Sequence, residues 1–258
     1  MVQLSLATAS AVLSFCSRVF AAAVDKTAKL RRLGPGQARH HWRSGQTSAV
    51  ARHCLPVLGH GQDHMEHKNP LLGHARGPRH ILTIRHCVPQ SGSGITMRFA
   101  PSYYDGERLG GSSIMSVIYP TTGFHHAWCT TAFDMVIMIT ADRIGDTRCY
   151  LGVKVPQNNQ PNPAMFYHYR YPVELASGQR PYRQEGISAW AISYCEQGGP
   201  MTNDIDAAGG QSGGPPWLNE NGNRSVYGVL ARTGDTVSTS ANGPRLLDMY
   251  NSARASFP

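Results

Sequence analysis

Three short segments of the chain carry a histidine, an aspartate and a serine that together could perform nucleophilic catalysis. His86 lies in the segment ILTIRHCV, Asp134 in AFDMVIM and Ser212 in GGQSGGP. A serine hydroxyl is a weak nucleophile and needs an adjacent base, and histidine suits that role because its pKa lies near neutrality. The imidazole in turn needs an acid that fixes its tautomer and stabilises its charged form. The three residues therefore predict acyl transfer to Ser212.

The small residues around Ser212 predict a second part of the same chemistry. Glycine lets the backbone turn tightly and lets a substrate carbonyl come close. We expect the backbone N–H groups of Gly210 and Ser212 to form an oxyanion hole, where one donor contributes about 3–4 kcal/mol. Each segment alone is a weak signal. The order His, Asp, Ser, with gaps of 48 and 78 residues, is much harder to obtain by chance.

The three segments resemble the motifs of chymotrypsin-fold serine proteases. The box that ends in His86-Cys87-Val88 resembles L-T-A-A-H-C, the segment FDMV resembles D-[IM]-A, and GQSGGP resembles G-D-S-G-G-P. Gln211 before the serine is closer to the glutamyl endopeptidase branch, with its G-[NQ]-S-G-S-P. The resemblance covers about residues 78–258. It implies that His86 is the general base, that Asp134 orients it and that Ser212 is acylated.

The elements that must position these residues read as short strands. From residue 80 onward, β-branched and aromatic runs alternate with Gly, Pro and Asn, which favours antiparallel β-structure. The resemblance implies an all-β fold of two six-stranded antiparallel Greek-key barrels with the site in the cleft between them. We expect a short C-terminal helix at about 245–255. The expected strands are 81–84, 95–99, 114–119, 135–140, 164–169, 187–194 and 225–231.

Composition divides the chain into four parts. Residues 1–23 read as a secretory signal peptide, because an apolar run precedes a small-residue cleavage site. Residues 24–79 are basic and rich in His and Gly, with no sustained period of 2 or 3.6. We expect a propeptide, a disordered segment or a mistranslated stretch there, without an ordered barrel wall. Residues 80–150 and 151–258 would form the N-terminal and C-terminal barrels, and the N-terminal barrel is complete only if further strands precede residue 81.

The net charge of +8 is confined to residues 1–80. Residues 1–80 hold 11 Lys and Arg against 3 Asp and Glu, whereas residues 81–258 hold 13 of each. A basic arm could bind nucleic acid or an anionic polymer, but this one lacks interleaved aromatic residues, so we expect no nucleic-acid partner. No Cys/His run has zinc-ligand spacing, and we expect no metal and no cofactor. No apolar run reaches the ~18–20 residues that span a bilayer, so we expect no membrane association after signal removal.

Removal of the signal peptide would leave five cysteines, and a secreted chain favours disulfides. The resemblance implies a bridge from Cys87 around the candidate base. Cys54 lies farther from Cys87 along the chain than the family's partner does, which weakens that pairing. Cys129 and Cys149 flank the aspartate segment, and we expect them to pair. Cys195 would then be left over.

The resemblance places four residues in the primary substrate pocket, namely Asp206, Ala207, Leu230 and Arg232. In the glutamyl branch a His and a Thr or Ser at the positions of Leu230 and Ala207 bind the acidic substrate side chain. Neither Leu nor Ala can donate such a hydrogen bond from its side chain. We therefore expect an apolar or mixed preference. Arg232 keeps an acidic preference open, and Asp206 keeps a basic one open.

Two functions from different classes remain at this stage. The leading hypothesis is a secreted, monomeric serine endopeptidase that acts on proteins or peptides. The alternative is a catalytically inactive protease homologue that acts as a binding protein. In trypsin-like zymogens an Asp before the serine receives the new N-terminus on activation. Gln211 cannot form that ion pair, so we do not expect activation by that route.

Overall fold

A computed structural model shows a mostly-β chain of two curled sheets with a C-terminal α-helix. The expected all-β, chymotrypsin-like architecture is confirmed in its two curled, mainly antiparallel sheets and its short C-terminal helix. The signal peptide and most of the basic segment, together with Cys54 and Cys149, lie outside the described residues. Those described are 58–63, 71–89, 96–120, 129–146, 150–156, 162–191, 195, 199–207, 209–221, 223–234 and 236–258.

The first sheet is a closed, six-stranded antiparallel barrel in the order β1-β2-β3-β6-β5-β4. Its strand β6 has the sequence VIMIT and is fully buried. Successive side chains of β6 enter two different apolar clusters. Val136 and Met138 pack inside the barrel, whereas Ile137 and Ile139 pack into a core shared with the second sheet. The strands are β1 (Leu58–Asp63), β2 (Leu71–Ala75), β3 (His80–Thr83), β4 (Met97–Pro101), β5 (Ser112–Ile118) and β6 (Val136–Thr140).

Two of these strands correct the expectation for the basic segment. β1 and β2 both lie within residues 24–79, and they pair with each other. β1 also pairs with β4, and β2 pairs with β3, so the two strands complete the barrel. The prediction of no ordered barrel wall is therefore wrong for these strands, and the N-terminal barrel is not incomplete. The Gly- and His-rich side chains of this segment carry no strand pattern. Main-chain pairing with β3 and β4 is what forms the two strands.

The second sheet has eight strands within the described residues rather than the six expected, in the order β13-β14-β10-β9-β8-β11-β12-β7. The expected strand at 225–231 is two strands, because the chain bends at Gly228. This glycine has φ +154, and a Cβ there would lie 2.4 Å from the Ala241 carbonyl oxygen. The strands are β7 (Gly152–Val153), β8 (Asn162–Arg170), β9 (Tyr182–Ala191), β10 (Met201–Asn203), β11 (Pro216–Glu220), β12 (Asn223–Val226), β13 (Val229–Thr233) and β14 (Ser238–Ala241).

The C-terminal helix α1 (Pro244–Ser256) confirms the expected helix and joins the two sheets. Leu246, Tyr250 and Ala253 are buried at helical spacing in the shared core. The Tyr250 hydroxyl donates to the backbone carbonyl of Arg76 at 2.6 Å, and the Arg76 guanidinium lies over the Tyr250 ring. The helix therefore fastens the hairpin of β2 and β3. Within the part of the chain that the structure describes, every helix is too short or too polar to cross a bilayer.

A disulfide joins Cys129 to Cys195, two residues 66 positions apart. The expected pairing of Cys129 with Cys149 is therefore wrong, and Cys195 is not left over. Cys129 opens a 3₁₀ helix (Cys129–Phe133) just before β6, and Cys195 lies between β9 and β10. The bridge links the two sheets, a tertiary contact that spacing along the chain cannot reveal.

The interior of the second sheet contains a buried histidine. Phe166, His168 and Arg170 alternate along β8 and are all buried. Burial, and next the nearby Arg170 charge, lower the pKa of His168 to about 3. Its Nδ1 lies 3.3 Å from the Pro215 carbonyl oxygen, so a neutral ring with the proton on Nδ1 donates to that carbonyl.

We predict that Tyr250→Phe lowers the free energy of unfolding by about 1–3 kcal/mol, because the variant leaves the buried Arg76 carbonyl without its donor. Urea unfolding of parent and variant measures the difference. Asn251→Ala changes an exposed residue on the same helix and is expected to stay within about 0.5 kcal/mol of the parent. Equal stability of Tyr250→Phe and the parent would contradict the role of this hydrogen bond.

We predict that the stability difference between the parent and His168→Asn shrinks as the pH falls. The pKa of His168 is about 3 in the folded chain, below the ~6.5 of an unfolded one, so the unfolded state binds the proton more tightly. The parent therefore loses stability from His168 as the pH falls from about 6.5 toward 3, and the variant does not. Urea unfolding at a series of pH values tests this. A difference independent of pH would show that His168 does not stay neutral in the fold.

Candidate functional site

Strand register brings His86 and Asp134 together. β3 and β6 pair antiparallel with Thr83 opposite Val136. Continued past the strand ends, this register sets Asp134 opposite Arg85, one residue before His86. A turn at this point, closed by a bond of 3.0 Å from the Val88 N–H to the Arg85 carbonyl, presents the His86 ring.

Asp134 holds His86 at two points. The backbone N–H of His86 donates to Asp134 Oδ1 at 3.0 Å, and His86 Nδ1 lies 2.7 Å from Asp134 Oδ2. A carboxylate only accepts hydrogen bonds, so the proton shared by His86 Nδ1 and Asp134 Oδ2 resides on Nδ1. Nε2 of the neutral imidazole is therefore left as a base. The His86 side chain is 39% exposed and that of Asp134 is 19% exposed. The carboxylate is thus partly shielded while the ring remains accessible.

Ser212 lies in the loop between β10 and β11, and β13 fixes that loop. The N–H of Gly213 donates to the Leu230 carbonyl at 2.9 Å, and the N–H of Leu230 donates to the Gly214 carbonyl at 2.8 Å. Gly210 and Gly213 have φ of +82 and +88, which glycine adopts without strain. The partly buried Ser212 therefore sits in a tight turn tied to a strand edge.

Three polar groups of this turn have no hydrogen-bond partner among the described residues. Among the described residues, none hydrogen-bonds to the N–H of Gly210, to the N–H of Ser212 or to the Ser212 hydroxyl. The structure thus forms the His86–Asp134 pair and leaves the Ser212 hydroxyl outside any hydrogen bond to it. Catalytic hydrogen bonds are often long without substrate and shorten only in the complex.

A shared core places the two halves of the site on one framework. Ile84, two residues before the histidine, and Met135, directly after the aspartate, are fully buried. They belong to the same apolar cluster as Val229, whose neighbour Leu230 ties down the serine loop. Burial of this cluster excludes water between the sheets and resists their separation.

The segment that carries the aspartate is also attached to the second sheet. A Cβ on Gly199 would lie 3.2 Å from the Ala132 Cβ, and the Arg245 guanidinium lies 4.7 Å from the centre of the Phe133 ring. With the Cys129–Cys195 bridge, these contacts hold the 3₁₀ helix before Asp134 against the sheet that carries Ser212.

The structure separates the four expected pocket residues into two pairs. Leu230 is 2% exposed and lies in an apolar cluster of the second sheet, against which the partly buried Ala207 packs. Asp206 and Arg232, in contrast, are exposed. The backbone of Asp206 is held on both sides, because its N–H donates to Gln184 Oε1 at 3.1 Å and its carbonyl accepts from Arg170 Nη1.

One residue near the serine loop was missed by sequence reasoning. Arg170 ends β8, and its Nη1 donates to the Asp206 carbonyl and to Gln211 Oε1. Burial lowers the pKa of Arg170. The available signal was the strand FYHYR with tyrosine at every second position, because a period of two assigns Phe166, His168 and Arg170 to one face.

Sequence comparison alone identifies no relatives. No protein-family profile matches the chain, and no curated protein matches it.

Solved structures with the same fold are serine proteases. A Glu endopeptidase solved with MPD superposes with a TM-score of 0.61 at 17% identity, covering 77% of this chain and 90% of that one. A thermostable serine protease from an extremophilic microorganism gives 0.61 at 15% identity, covering 78% and 98%. Protease Anisep from Arthrobacter nicotinovorans gives 0.60 at 16% identity, covering 77% and 95%. The chain therefore has the chymotrypsin-like fold of these proteases.

Proposed function

We propose that the chain is a secreted serine endopeptidase that hydrolyses peptide bonds through an acyl-enzyme. The observation that carries this proposal is the two-point contact of Asp134 with His86. An exposed imidazole whose Nδ1 faces a carboxylate is the arrangement a general base needs. The fold of serine proteases and a serine in a glycine-rich turn are independent support.

In this mechanism Nε2 of His86 takes the proton of the Ser212 hydroxyl as the oxygen attacks the substrate carbonyl carbon. The N–H groups of Gly210 and Ser212 stabilise the resulting oxyanion. His86 then gives its proton to the amide nitrogen, the C–N bond breaks and the amine leaves. Water, deprotonated by His86, then attacks the acyl carbon. The ester C–O bond breaks, His86 returns the proton to the Ser212 oxygen, and the acid leaves. Asp134 keeps the ring oriented and stabilises the imidazolium throughout.

An edge strand offers a place for an extended substrate. β13 lies at the end of the second sheet, with β14 as its neighbour in strand order. Its first part binds the serine loop through Leu230, and the following Arg232 and Thr233 are exposed. A peptide that adds to this edge would lie next to the nucleophile. Secretion is supported by the Cys129–Cys195 disulfide, since disulfides persist in oxidising compartments.

We predict that Ser212→Ala and His86→Ala each reduce peptide hydrolysis roughly a thousandfold or more, because triad members act as a unit. Asp134→Asn is expected to be similarly damaging, since the amide favours the wrong tautomer of His86. A fluorophosphonate probe, followed by identification of the modified peptide, is expected to label the parent at Ser212.

The control for this series is Ser113→Ala, which changes an exposed serine of β5 and should leave hydrolysis and labelling unchanged. A folded parent that is neither labelled nor able to hydrolyse peptides would instead indicate an inactive homologue that acts as a binding protein. Hydrolysis by Ser212→Ala at the parent rate would show that another residue is the nucleophile.

We further propose that the primary pocket is apolar or mixed, because Leu230 and Ala207 contact the same apolar cluster. A substrate carboxylate buried there would lack a donor, which is costly. A peptide-library digest is expected to show no strong selection for Glu before the cut. Leu230→His should shift the preference toward Glu, because the imidazole supplies a donor.

Leu230→Met, which nearly conserves volume, serves as the control and should keep the parent profile. Strong selection for Glu by the parent would contradict the apolar pocket and assign acid recognition to another group.

A further inference from the structure

The loop between β10 and β11, which carries Ser212, is held by a buried arginine. Arg170 is 5% exposed, and its Nη1 donates both to the Asp206 carbonyl and to Gln211 Oε1, the latter at 3.2 Å. Gln211 itself is fully buried and directly precedes Ser212. One guanidinium nitrogen therefore connects the beginning and the end of the segment that leads to the nucleophile.

The position of Arg170 is costly in free energy. A buried charge is unfavourable unless it is paired, and no carboxylate of the described residues lies within ion-pair distance of Arg170. Burial lowers its pKa, and the charges of Asp206 and Glu174 act on it only through space to raise the pKa. The contacts that Arg170 does make are to the loop. A hydrophobic residue in its place would avoid the cost, so these contacts indicate a role beyond filling the core.

The residues that follow Arg170 shape the middle of the same segment. The Val173 N–H donates to the Gly209 carbonyl at 3.2 Å. A Cβ on Gly210 would lie 2.6 Å from Val173 Cγ2 and 3.2 Å from the Tyr171 carbonyl oxygen. The strand end and the residues after it thus form a surface against which this segment lies, and at position 210 only glycine fits.

We propose that Arg170 is a positioning residue that sets the direction of the Gly210 and Ser212 N–H groups by holding Asp206 and Gln211. This inference rests on the proposed function and deepens it. Arg170 does not touch the substrate. It acts through Gln211, so its loss should affect transition-state stabilisation more than substrate binding.

The test compares Arg170→Met, Gln211→Met, the double variant and Gln211→Glu with the parent. Each is measured for kcat and KM on a peptide substrate and for affinity toward a peptide aldehyde, which forms a tetrahedral adduct. Rates are expressed per site labelled by the fluorophosphonate probe, and circular dichroism verifies folding. Arg76→Met is the matched control, because Arg76 is also a buried arginine but donates to the Gly152 carbonyl, away from the loop.

We expect Arg170→Met to lower kcat and aldehyde affinity about a hundredfold, as for the loss of one oxyanion donor, with KM changed less than about threefold. The double variant should be no worse than Arg170→Met, because both changes break the same contact. Arg76→Met should keep the parent kcat per labelled site. A folded Arg170→Met with the parent kcat, or a loss confined to KM, would overturn the proposal.

If Arg170→Met does not fold, the variants Gln211→Glu and Gln211→Met test the proposal, since both retain Arg170. Gln211→Glu keeps an acceptor for the guanidinium and should retain kcat within about threefold of the parent, whereas Gln211→Met should lose about tenfold or more. Equal kcat for the two would overturn the role of Arg170. A parent that is not labelled overturns the proposed function, and this inference with it. A labelled parent with unaffected variants overturns the inference alone.

Discussion

The pairing register of β3 and β6 is the constraint on which the site depends. It sets Asp134 beside the turn that carries His86, so one carboxylate can accept from both the backbone and the ring of the histidine. A slip of one residue would move every side chain of β6 to the opposite face. Because β6 is buried on both faces, such a slip would place its residues in the wrong core, and the core thereby protects the geometry of the pair.

The second constraint is the attachment of that pair to the sheet that holds the serine. The shared core, the Cys129–Cys195 bridge and the contact of Arg245 with Phe133 all join the Asp134 segment to the second sheet. These contacts differ in chemistry, so no single substitution removes all of them. The site is built on packed strands and short turns, and this rigidity is what a general base and an oxyanion hole require.

The sequence predicts the fold and the pairing of His86 with Asp134 better than the contacts between distant parts of the chain. The motifs around His86, Asp134 and Ser212 indicate the fold, and the register of β3 and β6 brings the first two together. β1 and β2 were missed because LGHGQD and LLGHA carry no period-2 pattern, and only their partners in the barrel reveal them. The disulfide and the Arg170 contacts join residues that are far apart in the chain, and without the fold no local pattern predicts them.

The central claim is that Asp134 fixes the tautomer of His86, and ¹⁵N NMR of the histidine ring tests it most directly. With the ring neutral, the claim predicts a proton on Nδ1 and an unprotonated Nε2 for His86 in the parent, with that preference lost in Asp134→Asn. A parent ring that carries its proton on Nε2, or a tautomer unchanged in Asp134→Asn, would contradict the claim.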